Sequence, residues 1–553
     1  MHQLKKLRPV LILLLCTTFY IKGTTSEEFS DLFNDEQGGN LDNAFIDSVV
    51  NESIQANPSS MGIKVLPTPE RAVALLQAFM IIDLLRDETL FLHTNPFNKR
   101  NILDDPLAQQ TFWDYPLTNG FSTDFFLTSM DRAYFTDDSD SIDSYLALSK
   151  PSFVNKLQII SDKIIAQARA LGLTDFTLDI GTILTLFKDF TAQERQLGFI
   201  FSGFRKYKGM SFRAQLPFYY LERNFYATEE EEEEIEKVFG VNEPSETEIL
   251  QREHLICDKI GFGDLRLSAA YQVIQHSNYN FKVGGLTTLP TNVAIIKGLL
   301  GSSFPKSTTR RTVDIRALLE TSATGNFDDS RQTLQSFAFG ALDHLAANLL
   351  ETSMGNGRHF SLGAFMQSKI KLETFIRRPW ATNFNFKSLM SLEYLFPAQE
   401  QRFFIKKIST KEFDSRNFTT GPQLDNLDFL ETKLVDFFYP FVVDTLVSPG
   451  LIVKTSSILQ WRKRNWGFAI SSNFWLKTEE GLRLVQSQPI ISNLDVDKGV
   501  TPLAFQGKVM GSLFYKMKKR NHDLMISLNV EGTTINQGIG EEVGLSFKFE
   551  TNF

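Results

Sequence analysis

Residues 543–553, VGLSFKFETNF, alternate between two kinds of side chain. Side chains of an extended strand project to opposite faces in turn, so period two assigns each residue a side. Val543, Leu545, Phe547, Phe549, Thr551 and Phe553 share one face; Gly544, Ser546, Lys548, Glu550 and Asn552 share the other. One face therefore wants an apolar medium and the other accepts small or polar neighbours. The pattern returns along the chain. In 210–221, Met210, Phe212, Ala214 and Leu216 oppose Arg213 and Gln215. In 383–395, Phe384, Phe386, Met390, Leu392 and Tyr394 oppose Asn385, Lys387, Ser391 and Glu393. Most such segments run longer than a typical globular strand and are near the length that crosses a bilayer obliquely.

Twelve strands are predicted, at 112–127, 194–205, 209–222, 261–274, 279–289, 358–374, 381–395, 449–461, 466–477, 504–517, 522–533 and 541–553. Short turns at 205–208, 275–278, 375–380, 462–465 and 518–521 alternate with longer connections at 128–193, 223–260, 290–357, 396–448 and 478–503; 534–540 is brief. Short turns on one side, long loops on the other and an even strand number fit a transmembrane barrel with periplasmic turns and external loops. In lipid every backbone polar group needs an internal partner, so such a sheet has to close on itself. The expected fold is all-β with helical loop insertions: an antiparallel transmembrane β-barrel of about 12 strands. Trp461, Trp466, Tyr515, Trp475 and Tyr394 fall near strand ends, where interface girdles place aromatic residues. Helical spacing is read at 152–171, 333–350 and 425–446. The acidic run 229–234 reads as a solvated loop, with a divalent-cation site as the lesser reading.

The amino-terminal end is consistent with export. Lys5, Lys6 and Arg8 precede the apolar run 11–15, and small or polar residues follow, the pattern of a secretory signal peptide over 1–24. Leu15 before Cys16 is not the small residue a lipoprotein site needs. Removal of 1–24 takes the formal net charge from −8 to about −12, against general nucleic-acid binding, and leaves Cys257 as the single cysteine. No stretch is long and apolar enough for a spanning helix; the best, 72–85, is short and contains Asp83. Residues 25–110 read as a periplasmic or lumenal segment, polar at first and helical over 67–86, and 111–553 as the barrel.

The terminal strand resembles the C-terminal assembly signal of Gram-negative outer-membrane β-barrels, with Phe547, Phe549 and Phe553 as its apolar residues. A second resemblance covers about thirty residues. Gly261-Phe262-Gly263-Asp264-Leu265-Arg266-Leu267, then Phe281-Lys282-Val283-Gly284-Gly285 and Leu289-Pro290-Thr291, resemble a hairpin of the barrels grouped with meta-pathway phenol-degradation transporters and hydrophobic-compound transporters. The resemblances imply assembly by the barrel-assembly machinery into outer-membrane lipid, and diffusion of small, apolar solutes. Glycines at a strand start also suit a bend or close backbone packing. Gly261-x-Gly263 is no dinucleotide loop, because no helix follows it.

Inward positions, read from the alternation, include the bases Arg213, Arg266, Lys282, Lys369, Lys371, Lys387, Lys508 and Lys548, and the acids Asp264, Glu393, Glu531 and Glu550. Arg213, Arg266, Lys282, Lys369, Lys387, Glu393, Lys508 and Glu531 are the pore-lining candidates. Two readings stand. Bases facing open water favour anions; bases and acids pairing across the lumen fill it. His359 and Ser361, two apart on one strand, weakly resemble the dyad of outer-membrane phospholipases, without that motif's flanking residues. His254 and Cys257 are too few ligands for a zinc site. No metal or cofactor is expected. The sequence thus points to a porin-like channel for passive diffusion of small solutes, hydrophobic or anionic ones among them. An outer-membrane hydrolase and a structural or adhesive surface barrel are the alternatives. If the barrel reading holds, the protein stays in the membrane fraction after carbonate washing and migrates differently on SDS gels before and after heating; release to the soluble fraction is the contrary result.

Overall fold

The computed structural model describes residues 96–109, 119–132, 191–226, 253–299, 305–312, 327–376, 378–407, 438–485, 493–519 and 522–552, with isolated positions between them. The chain divides into two compact units, 1–67 and 68–553, and all described residues belong to the second. The signal-peptide, 67–86 helix and 229–234 readings, and Phe553, lie outside the described residues.

Twelve strands form a closed antiparallel ring. In chain order they are β1 (Gly120–Arg132), β2 (Thr191–Tyr207), β3 (Met210–Tyr226), β5 (Leu265–Gln275), β6 (Tyr279–Leu289), β8 (Ser361–Lys371), β9 (Phe384–Leu395), β12 (Gly450–Lys463), β13 (Trp466–Lys477), β15 (Ala504–Lys519), β16 (His522–Gln537) and β17 (Glu541–Asn552). Each pairs with the next in this order, and β17 pairs with β1 from Gly120↔Asn552 to Arg132↔Glu541. The predicted strands all occur. The first is described over 120–132 against the predicted 112–127, of which 112–118 lie outside the described residues; its register sets Phe121, Phe125 and Leu127 outward and Ser122, Asp124 and Thr128 inward.

Alternation sets the two faces of the wall. On β17, Val543, Leu545, Phe547 and Phe549 are exposed on the outside, while Ser546, Lys548 and Glu550 are buried inside. The outer apolar belt continues through Phe199, Phe201, Phe212, Leu267, Met366, Met390, Leu392, Phe468, Ile470, Leu513 and Leu528. Contiguous apolar surface on this scale demands an apolar medium. Among the described residues no helix is long and apolar enough to cross a membrane. Trp466 and Tyr394 are exposed at strand ends, as a girdle requires, but Trp475 is fully buried. Period two puts Trp475 on the lumenal face with Asn473, and it stacks under Arg100.

The short turns sit at one rim. At the β2–β3 turn Lys208 and Gly209 have φ of 45° and 83°, the left-handed pair of a tight hairpin turn. The other rim carries most of the remaining structure. There β3 pairs β5 only from Met210 to Gln215 and then β4 (Ile256–Phe262), which in turn pairs β7 (Val293–Lys297). The exchange occurs at Gly261–Asp264. A Cβ on Gly261 would meet Val293 O at 2.0 Å, so backbone crowding requires the glycine. β10 (Ala398–Phe404), β11 (Phe441–Ser448) and β14 (Gly481–Leu484) form a second small sheet. The helix expected over 425–446 therefore gives way to a strand at Phe441, where the alternately buried FVVDTLVS pairs on both edges. Helix α1 (Pro106–Gln109) lies ahead of the wall, and α2 (Phe327–Leu349) matches the 333–350 reading.

Lys548 Nζ lies 3.5 Å from Asp124 Oδ2, both buried, so of the two readings open to an inward base it takes the paired one. Phe547→Arg is expected to cost about 2–4 kcal/mol in urea unfolding from lipid vesicles, as a charge on the lipid face. Lys548→Gln is expected to be costly too, up to about 3–5 kcal/mol for a broken buried pair, and Asp124→Asn added to it to restore part of the loss. A harmless Phe547→Arg would show that the face assignment is wrong.

Candidate functional site: a strapped lumen

The lumen is occupied by the segment ahead of β1. Residues 96–109 run through it as a short strap: a 3-10 turn (Ile102–Asp104) capped by Asn101, whose Oδ1 accepts from Leu103 N, then α1 begun by Pro106. Ile102, Leu103, Leu107 and Ala108 pack on Phe126, Ile200, Tyr219, Leu221 and Met510, which point inward from the wall. These wall residues form an apolar patch inside a mostly polar lumen, and the strap is what covers it.

Two buried ion clusters fix the strap. In the first, Asp104 Oδ1 lies 2.7 Å from Arg266 Nη2 and 2.6 Å from Lys454 Nζ. Glu393 Oε2 completes it, 2.8 Å from Lys454 Nζ and 3.4 Å from Arg266 Nη2. Glu393 Oε1 accepts from Thr288 Oγ1 at 2.9 Å and from Ser361 Oγ, and Arg266 Nη1 donates to Leu103 O at 2.7 Å. Two acids face two bases, so this cluster is neutral. In the second, Lys508 Nζ lies within 2.9 Å of Asp105, Glu531 and Glu542. Arg100 Nε is 3.1 Å from Asp105 Oδ1, and its Nη atoms donate to Gln506 Oε1 at 3.1 Å and Asn473 Oδ1 at 2.5 Å. The carboxylates Asp105, Glu531 and Glu542 lie close enough together to suggest a cation site. The Lys508 ammonium already holds the centre between them, so no metal is assigned.

A third anchor, built on hydrogen bonds to the Asp264 carboxyl, explains the glycine-rich hairpin. Asp264 Oδ1 accepts from Asn292 Nδ2 at 2.6 Å, and Oδ2 accepts from Asn356 N at 2.5 Å and Asn101 Nδ2 at 3.4 Å. Thr291 Oγ1 accepts from Leu265 N at 2.9 Å. The residues of the G-x-G-D and L-P-T motifs thus join the strap, the β4–β5 break and the loop before β8.

The eight pore-lining candidates separate into two groups. Arg266, Glu393, Lys508 and Glu531 belong to the clusters. Arg213, Lys282, Lys369 and Lys387 stand outside them. Arg213 Nη2 donates to Ala108 O at 3.2 Å, and Lys369 lies opposite Lys387 in the β8–β9 register. Arg213 and Lys282 border a cavity of about 100 Å³ beside Leu103, with Gln215, Gln367, Leu286 and Phe365 in its wall. Asp104, Asp105, Arg100, Lys454 and Glu542 were not singled out by the sequence reading. A legible signal existed in RNILDDP at 100–106, charged residues around an apolar pair just ahead of the first strand. The hydrolase dyad does not form. His359 Nδ1 and Nε2 engage Phe396 O and Glu400 Oε1 at 2.9 and 3.0 Å, while Ser361 Oγ donates to Glu393.

No family model matches the sequence, and no curated protein matches it. Among solved structures the chain is similar to an outer-membrane channel from Pseudomonas putida F1, at 7% identity and TM-score 0.37 over 80% of this chain and 100% of that one. It is similar to the Ralstonia pickettii toluene transporter TbuX at 9% identity and TM-score 0.31, over 79% and 90% of the two chains. The transport unit of the Escherichia coli autotransporter AIDA-I gives 6% and 0.31, over 88% and 99%. The barrel rests on its own strand register.

Burial pushes the Asp104 carboxyl up, but the charges of Arg266 and Lys454 outweigh it and hold its pKa below the usual carboxylate range. A depressed carboxylate stabilises the folded state above its unfolded pKa and loses that contribution as pH falls through the folded value. Asp104→Ala is expected to destabilise by about 3–5 kcal/mol at pH 7, since two buried bases lose a partner. Combined with Lys454→Met the loss should be less than additive. In strong acid, below the usual carboxylate range, wild type and Asp104→Ala should converge. Equal unfolding midpoints at pH 7 would remove the latch.

Proposed function

We propose that this protein is an outer-membrane channel for passive diffusion of small solutes, narrowed by a resident strap. One observation carries the reading: a ring with no free wall edge, apolar outside and polar inside. An apolar exterior suits lipid, and a polar lumen suits water and solutes. Twelve strands enclose more space than the side-chain-filled eight-stranded barrels and less than the sixteen-stranded pores. The strap reduces what is left to a constricted path beside the cavity at Arg213 and Lys282.

Solute preference is set by the lumenal charges that lie outside the two clusters. Arg266 and Lys508 attract no solute, because their own acids surround them. A modest anion preference rests instead on Arg213, Lys282, Lys369 and Lys387. Glu550, near Arg213 and Lys387, offsets part of it. Leu286 and Phe365 in the cavity wall suit solutes with an apolar part. The buried serine and the engaged histidine favour transport over hydrolysis.

Purified protein in planar bilayers is expected to give small conductance steps. Asp104→Ala with Asp105→Ala, which loosens both clusters, should enlarge them or make them noisier. Arg213→Gln with Lys282→Gln should reduce the anion-to-cation permeability ratio. Silence of both wild type and the loosened strap would favour a structural surface barrel instead.

A further inference from the structure

The remaining part of the hairpin motif, Phe281-Lys282-Val283-Gly284-Gly285, serves the cavity beside the strap. Period two turns Lys282 and Gly284 to the lumen. One level of the wall runs in direct register across six strands: Ser211, Ala270, Gly284, Phe365, Ser391 and Lys454. Small residues dominate it, so the wall is recessed there. Gly284 makes the room: a Cβ on it would come within 2.5 Å of the Phe365 ring, which therefore lies across the glycine. The strap supplies the facing side. Leu103 borders the cavity, and its carbonyl accepts from Arg266 Nη1 at 2.7 Å, which fixes it there. The charged residues of the lining are all bases, Arg213, Arg266, Lys282 and Lys454, with no acid among the described residues that border it. Asp104 and Glu393 hold Arg266 and Lys454. Arg213 is held only in part. Its Nη2 donates to Ala108 O at 3.2 Å, but its buried Nε has no hydrogen-bond partner among the described residues. Buried polar groups are seldom left so, and an N–H of this kind marks a place for an acceptor. Glu550 and Asp124 act on Arg213 from outside the cavity wall and share the further base Lys548.

We infer that strap and wall together form a binding site for a short-chain aliphatic monocarboxylate, its carboxylate taken by Arg213 and Lys282 and its chain lying against Leu103, Leu286 and Phe365. The planar guanidinium fork matches a carboxylate, and the lysine adds a second positive charge. Size sets the rest of the ligand. An apolar cavity of about 150 Å³ takes benzene, and this one is about 100 Å³, so a short chain fits where a ring does not. The strap is then one side of a solute station as well as an obstruction. That use in transport rests on the channel reading; the binding itself does not.

Butyrate is the probe, titrated into purified, folded protein in detergent and followed by ligand-observed NMR, with protein-free micelles as the blank. n-Butanol and butylammonium are its neutral and cationic counterparts, and benzoate is the larger acid. Butyrate should bind saturably, and at least about tenfold more tightly than any of the three, the scale of a charge-assisted hydrogen bond. Arg213→Gln should weaken butyrate by about the same factor. Arg462→Gln, an exposed base at the short-turn rim, should leave it unchanged. Leu103→Ala, which opens the strap side, should shift the preference from butyrate toward benzoate. Variants are scored on their heat-modifiable population, and the four-ligand comparison on wild type needs no variant. Equal binding of butyrate and n-butanol, or no saturable binding, would overturn the site. A butyrate-to-benzoate ratio unmoved by Leu103→Ala would overturn the strap's part in it. Binding without conductance in bilayers would remove the channel and leave the site standing; conductance without binding would remove the site and leave the channel.

Discussion

Every wall strand has a hydrogen-bonding neighbour on each side, and the β1–β17 pairing supplies the last one. Without that seam two strands would carry a row of unmatched amides and carbonyls, which costs several kcal/mol per group in an apolar medium. Closure also creates an inside. Once the sheet is a ring, period two divides each strand between a surface that sees lipid-like surroundings and one that sees only the lumen. The apolar belt and the inward charges are both consequences of that division.

An inside of this size is too wide for side chains to fill and too confined for bare charges. The strap answers both conditions. Its leucines and Ala108 cover Phe126, Tyr219 and Met510; Asp104 supplies the second acid for Arg266 and Lys454 beside Glu393, and Asp105 joins Lys508 together with Arg100. Buried ion pairs are weak evidence of stability, because desolvation offsets most of their attraction. Their directional cost when broken is another matter: a displaced Asp104 leaves Arg266 and Lys454 to share the single carboxylate of Glu393. The clusters therefore specify one seat for the strap, and a constricted lumen follows from that specificity.

Much of the wall was legible because it is written with a short period. The β6 and β13 boundaries coincide with the sequence reading, and the inward residues of β9 and β17 lie where alternation put them. Legibility failed where a residue's environment comes from far away in the chain. Trp475 reads as a girdle residue until Arg100 arrives over it. Lys548 reads only as an inward base until closure brings Asp124 against it. The strand at 441–448 reads as helix until β10 and β14 offer it two edges.

The sequence by itself determined the ring: an even set of amphipathic strands, short turns alternating with long connections, and an apolar belt. Local side-chain alternation and turn length are sufficient causes for all of these. Only the tertiary structure decided what the lumen contains. Arg266 and Lys508 look alike along their strands as inward bases. That each serves a latch, while Arg213 and Lys282 border a cavity, depends on partners more than a hundred residues away in the strap. Pairing over such separations follows no periodicity, so no local pattern could announce it.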